Sequence, residues 1–170
     1  MVQIGLISDT HGYVDDRIVE HFKGCDEIWH AGDIGGQNVV DKLAGNKTFK
    51  AVHGNIDDPS LRNRYPENLV FEIENLKIWI THIGGYPPGY NKKIKSSLLS
   101  IQPDLFICGH SHIVRIIPDQ QLKLLHINPG AAGHQGFHKI RTIVRFIIDV
   151  GQIKDLQVIE LGKRGSLVMN

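Results

Sequence analysis

Apolar residues in this chain arrive in short runs, and in the first half each run stops at small or acidic residues. Val2-Gln3-Ile4-Gly5-Leu6-Ile7 gives way to Ser8-Asp9-Thr10-His11-Gly12. A run of that length, rich in β-branched residues and closed by polar ones, predicts a buried strand with a carboxylate and an imidazole at its C-terminal mouth. Open α/β sheets bind ligands at that end of their strands. Val14, Ile18 and Phe22, with Val19 beside them, then recur at helical spacing and predict an amphipathic helix over the sheet. The alternation continues. Residues 26–30 form a second strand running into Ala31-Gly32-Asp33, and Val39, Val40 and Leu43 mark a second helix that Gly45-Asn46 stops. Residues 49–52 form a third strand, which leads into His53-Gly54-Asn55-Ile56-Asp57-Asp58-Pro59.

The pattern then turns to hairpins. Residues 69–73 and 77–81, joined at Glu74-Asn75-Leu76, predict antiparallel neighbours, the second ending at His82. Loop 83–90, punctuated by glycine and proline, lies directly beyond that histidine, where it can wall a pocket. Ile94, Leu98 and Ile101 predict a third helix whose first turns carry Lys92, Lys93 and Lys95, read as a solvated face. Residues 104–108 make another short strand and end in Gly109-His110-Ser111-His112. A hairpin over 113–117 and 122–127, turning at Pro118-Asp119-Gln120, precedes the small-residue loop Asn128-Pro129-Gly130-Ala131-Ala132-Gly133, and a closing hairpin spans 140–150 and 153–161. Helical connections followed by hairpins predict an α/β sandwich of two mixed β-sheets flanked by helices. Residues 1–161 read as a single domain and 162–170 as a C-terminal tail.

Composition narrows the function classes. Among 170 residues, 19 Lys and Arg against 18 Asp and Glu leave no basic field for general nucleic-acid or membrane affinity. No nucleic-acid groove and no membrane partner are expected. Neither a secretory leader nor a membrane-length apolar segment is visible. Cys25 and Cys108 sit beside apolar runs without disulfide or zinc-knuckle spacing, so both read as buried free thiols in a cytoplasmic protein.

The candidate chemistry lies where the runs end: Asp9, His11, Asp33, Asn55, His82, His110 and His112. One loop histidine carries little information in a chain with ten. Five separate segments, each an apolar run ending in a metal-capable group, point to a shared centre. Mixed carboxylate and imidazole donors suit manganese, iron, zinc or nickel better than magnesium. The donors outnumber what one ion needs, so two divalent ions are expected, clamping the oxygens of an in-line displacement around a bridging hydroxide. Such a centre stays electropositive after Asp9 and Asp33 are counted, and attracts a phosphate ester.

Asp9-Thr10-His11, Gly32-Asp33, Gly54-Asn55-Ile56-Asp57, Thr81-His82 and Gly109-His110-Ser111-His112, in this order, resemble the motif set of calcineurin-like metallophosphoesterases. With Asn128-Pro129-Gly130 after the last motif, the chain resembles the small single-domain prokaryotic branch. The resemblance implies the four-layer metallophosphoesterase fold, hydrolysis of small phosphate esters, most of all diesters, two metal ions with manganese foremost, and a homo-oligomer. It places Asp9, His11, Asp33 and His112 on one ion and Asp33, Asn55, His82 and His110 on the other. Asp33, Asn55 and His82 then carry catalysis, Asp57 orients its loop, and His30 and His53 pack behind the ligands. Many phosphatases of the superfamily have a histidine after the motif asparagine to assist the leaving group; here Ile56 stands there. An isoleucine transfers no proton, so aryl diesters with good leaving groups are the expected substrates. His53, His134 and His138 are candidates to replace it. The competing reading is a catalytically weak or inactive protein-binding scaffold on the same fold, as in some eukaryotic trafficking proteins. Seven intact ligand positions weigh against it.

Overall fold

The computed structural model describes residues 1–165. Two five-stranded mixed sheets pack face to face with helices on both outer surfaces, giving the α/β sandwich the patterning predicts. Sheet one has the order β10-β9-β1-β2-β3, built from β1 (Val2–Ile7), β2 (Glu27–His30), β3 (Thr48–Ala51), β9 (Ile140–Asp149) and β10 (Gln152–Lys163). Sheet two runs β4-β5-β6-β8-β7, from β4 (Asn68–Ile73), β5 (Leu76–Thr81), β6 (Leu105–Ile107), β7 (Val114–Asp119) and β8 (Leu124–Pro129). Parallel pairing of β1 with β2, β2 with β3, β5 with β6 and β6 with β8 brings the C-terminal ends of these strands to one rim. The ligand candidates follow those ends.

Between the sheets, Ile4, Leu6, Trp29, Ile78, Ile80, Ile107, Val144 and Phe146 make a buried core. On the outer face of sheet one, α1 (Asp16–His21), α2 (Gln37–Ala44) and α3 (Pro59–Arg64) contribute Ile18, Val39, Val40, Leu43 and Leu61. Gly5 interrupts the apolar run of β1 for a packing reason: a Cβ there would lie 2.6 Å from the Phe22 ring, which occupies that space. On sheet two, α4 (Lys92–Ile101) seats Ile94 and Leu98 on Trp79 and Phe106. Both cysteines are free and buried.

Several boundaries differ from the expected ones. The hydrophobic pattern predicts no helix at α3, which buries one apolar residue, Leu61, and so has no apolar stripe to read. Pro118 and Asp119 belong to β7 instead of the turn, paired with Leu125 and Leu124. The edge position of β7 explains this, because an edge strand tolerates the missing proline N–H. Glu74 and Asn75 alone make the β4–β5 turn, both at positive φ, while Leu76 starts β5. Strand β10 continues to Lys163, two residues into the expected tail; residues 166–170 lie outside the described residues.

Candidate metal centre

Five short loops at the common rim carry the candidate ligands. Asp9 and His11 follow β1, Asp33 follows β2, His82 directly follows β5, and His110 and His112 follow β6. Their donor atoms gather into two groups, Asp9 with His11 and His112, and Asp33 with His82 and His110, each held within 4.8 Å. Both groups have the composition expected of a site for a divalent ion. Asn55, after β3, lines a cavity shared with His82.

Backbone geometry makes this convergence possible. Asp9, His11, Asp33, His110 and His112 all adopt positive φ, between 48° and 66°. L-residues enter this left-handed region at a cost of about 1–2 kcal/mol each, and Asp and His accept it better than most. The turns fold back at once and bring alternate side chains to one point. Three close approaches lock them: a Cβ on Gly32 would sit 2.5 Å from His82 Nδ1, on Gly54 2.0 Å from Asp33 Oδ1, and on Gly136 2.0 Å from His112 Nδ1. Each glycine leaves room for a ligand from another segment.

Hydrogen bonds divide each carboxylate into a tethered and a free oxygen. Asp9 Oδ2 accepts from Ser8 Oγ at 2.6 Å and from the His110 amide at 3.1 Å. Its Oδ1 is buried without a hydrogen-bond partner and faces His112 Nε2 at 3.1 Å and His82 Nε2 at 3.9 Å. Asp33 Oδ1 accepts from the Ile56 amide at 3.1 Å, while Oδ2 lies 3.3 Å from His82 Nε2 and 3.8 Å from His11 Nε2. Asp33 thus stands between the two groups.

His82 Nδ1 lies 2.8 Å from the Ala31 carbonyl, to which it donates, so in the neutral ring Nε2 carries the lone pair. Nε2 of His11 and of His82 are both buried without a hydrogen-bond partner. Lone pairs of nitrogen and carboxylate oxygen facing one another at such distances repel unless a cation lies between them. A metal ion satisfies all of them, and the backbone-bonded imidazole of His82 has the usual support of a metal ligand. Titration follows the same geometry. Burial pushes the His11 imidazole down, and its net shift is downward despite Asp33 and Asp9. Burial acts the same way on His82, but Asp33, Asp9 and the Ala31 carbonyl outweigh it and carry the group up. Burial opposes the Asp33 charge, yet His82, the Ile56 amide and His11 hold its carboxyl below the ordinary value.

A polar frame holds the loops together. Asp57, 3% exposed, accepts from the amides of Ile34, Gly35 and Gly54 at 3.2, 2.7 and 2.7 Å, tying the loop after β2 to the loop after β3. His30, fully buried, accepts from the Gly32 amide at Nδ1 and donates from Nε2 to Thr10, whose hydroxyl donates to the Ile34 carbonyl. Asn128 donates to the Gly109 carbonyl and accepts from the Gly130 amide. The expected walls of the pocket need correction. Ile83 alone of loop 83–90 lines the cavity; Arg62, Glu67 and Lys93 are among the residues that line it instead. Lys92, Lys93 and Lys95 are exposed, as expected of a solvated face, and Lys93 also stands at the edge of the cavity, while Arg62 sits on the helix that periodicity does not show. Asp58-Pro59, a capping acid followed by a first-turn proline, was the available signal for that helix. Of the three histidines named as candidate proton donors, His53 lines the cavity, His138 packs its ring 5.2 Å from that of His112, and His134 bonds the Arg164 carbonyl and meets Tyr13 edge to face.

Two mixed sheets with histidine and aspartate donors paired at a shared rim define an α/β sandwich with a candidate divalent-metal centre. The Calcineurin-like phosphoesterase superfamily domain matches residues 2–151, and the chain belongs to that superfamily. A probable metallophosphoesterase of Methanocaldococcus jannaschii is 32% identical over 134 residues, covering 75% of this chain and 67% of the relative. Among solved structures, a novel archaeal phosphodiesterase superposes with a TM-score of 0.73 at 24% identity, covering 94% of this chain and 99% of the other. Vps29 of Entamoeba histolytica, in complex with Zn2+, does so with a TM-score of 0.72 at 16% identity, covering 93% and 98%. No helix among the described residues is long and apolar enough to cross a membrane.

Proposed function

We propose that this protein is a two-metal phosphodiesterase in which Asp9, His11, Asp33 and His112 hold one ion, and Asp33, Asn55, His82 and His110 the other. The observation that carries the reading is the set of orphaned donors: Asp9 Oδ1, His11 Nε2 and His82 Nε2, all buried, all aimed at one small volume, and all without a hydrogen-bond partner. When bound, a pair of divalent ions supplies an activated water and a positive clamp for the oxygens around phosphorus. The chain's own residues do the rest. Asp33 would be shared between the two ions, Asn55 would add a neutral oxygen donor that leaves the centre electropositive, and His82 is kept in one tautomer by Ala31. Ile56, 45% exposed at the position of the missing histidine, donates no side-chain proton, which favours aryl diesters over monoesters with poor leaving groups. Manganese is the metal we propose first, followed by nickel, zinc and iron.

Similarity to Vps29 raises the scaffold reading, which the complete donor set disfavours. Purified protein, stripped with a chelator and reloaded with each metal, decides between them in an assay on bis(p-nitrophenyl) phosphate with bound metal measured on the same sample. About two equivalents of metal and metal-dependent turnover are expected. Inactivity with manganese, nickel, zinc and iron alike leaves the scaffold.

A further inference from the structure

A cavity of about 510 Å³ opens beside the metal-ligand groups, with His82 and Asn55 in one wall. That volume lies in the range of pockets that enclose organic ligands of nucleotide size. Trp79 and Ile94, both buried, give it an apolar floor, and Arg62, Glu67 and Lys93 complete the lining. Arg62 is held in place: Nε donates to the Asp57 carbonyl at 2.6 Å and Nη2 to the Asn55 carbonyl at 2.8 Å. Both partners are neutral backbone oxygens, so the guanidinium is anchored but keeps its charge. Among the described residues, neither Arg62 nor Lys93 forms an ion pair with a carboxylate. Glu67 offsets one of the two charges and leaves the cavity with one net positive charge and one hydrogen-bond acceptor.

Two cations that form no direct ion pair, with one net positive charge between them and Glu67, on an apolar floor next to a phosphate-directed centre, suit a substrate whose far end is anionic and whose middle is a ring. Resting on the phosphodiesterase reading above, we propose that this cavity receives one arm of the diester and that the arm carries a second phosphate, held by Arg62 and Lys93. The substrate class is then a nucleotide-sized diester bearing a further phosphate, with Glu67 accepting from a sugar hydroxyl or a base N–H.

The test compares two chromogenic diesters on the metal-loaded protein, thymidine 5′-(p-nitrophenyl phosphate) with and without a 3′-phosphate. The wild type is expected to prefer the 3′-phosphorylated ester by about tenfold in kcat/KM, the size of one charge-assisted contact. Lys93→Ala should bring that ratio towards one, and Glu67→Gln should raise it. Lys93 is the informative cation because Arg62 also braces Asn55. Calorimetric titration with thymidine 3′,5′-bisphosphate gives a readout independent of turnover, with about tenfold weaker binding expected for Lys93→Ala. A wild-type ratio of one, or a preference that Lys93→Ala leaves intact, overturns the cavity assignment while hydrolysis of both esters keeps the phosphodiesterase reading. If neither ester is hydrolysed, that reading fails and calorimetry settles the cavity: Lys93-dependent binding supports it and absence of binding overturns it.

Discussion

Asp57→Ala tests whether the two central loops are held by one buried carboxylate. The side chain accepts from three backbone amides, two of them on the loop after Asp33 and one on the residue before Asn55. Alanine removes every acceptor. The Ile34 and Gly54 donors are buried, and a buried donor left without a partner costs about 1–3 kcal/mol. Gly35 is exposed and its bond only partly buried, so water recovers most of it. The expected loss of stability is about 4 kcal/mol, a fall in Tm of about 8–16 °C for a chain of this size. Asp57→Asn should cost about half as much. Ile34 and Gly54 share Oδ2, so an amide oxygen placed there keeps both while its NH2 opposes the Gly35 N–H. Urea unfolding of the metal-free proteins measures both differences, and metal content of the folded variants reports whether Asp33 and Asn55 still converge. An Asp57→Ala protein within about 1 kcal/mol of the wild type, with an unchanged m-value, would refute the bracing role.

Other expectations follow from the same geometry. Asp33→Asn should lower turnover of bis(p-nitrophenyl) phosphate more than about hundredfold and reduce bound metal, because its Oδ2 faces donors of both groups; kinetics with metal analysis checks this. Gly136→Ala places a methyl 2.0 Å from His112 Nδ1 at a φ of 111°, so metal affinity should fall at least about tenfold while circular dichroism remains native. Burial moves the His126 imidazole from its ordinary 6.5 down to about 4, so between those values the unfolded chain binds the extra proton. Stability is therefore full above pH 6.5 and falls with pH towards 4, by about 3 kcal/mol at the lower limit; His126→Phe should flatten that part of the unfolding profile by one proton.

Much of this arrangement is legible in the sequence because the strands near the centre are short, buried on both faces and closed by polar residues. Runs such as 2–7 and 104–108 have few alternatives, and their ends name the ligands. Packing of the two sheets face to face then does what local patterning cannot show: it puts the end of β1 next to the end of β6 in the other sheet, 101 residues away between Asp9 and His110. Legibility fails where one contact decides the outcome. Leu61 alone anchors α3, and Pro118 is tolerated because β7 happens to lie at an edge. Lys93 and Arg62 gave no periodic signal, since a charged side chain beside a cavity and one in open solvent look the same in a linear pattern. The three partners by which Asp57 braces its neighbours share that limit, because backbone donors leave no mark on residue type.

The left-handed conformation at five of the ligand positions also guides the choice of substitutions. Alanine at Asp9, His11, Asp33, His110 or His112 would change two things together, losing a donor atom and forcing an ill-suited residue into that region of dihedral space. Asparagine and glycine occupy that region readily. Variants to those two residues would isolate the chemical role of each side chain, and an alanine scan of this rim would overstate it.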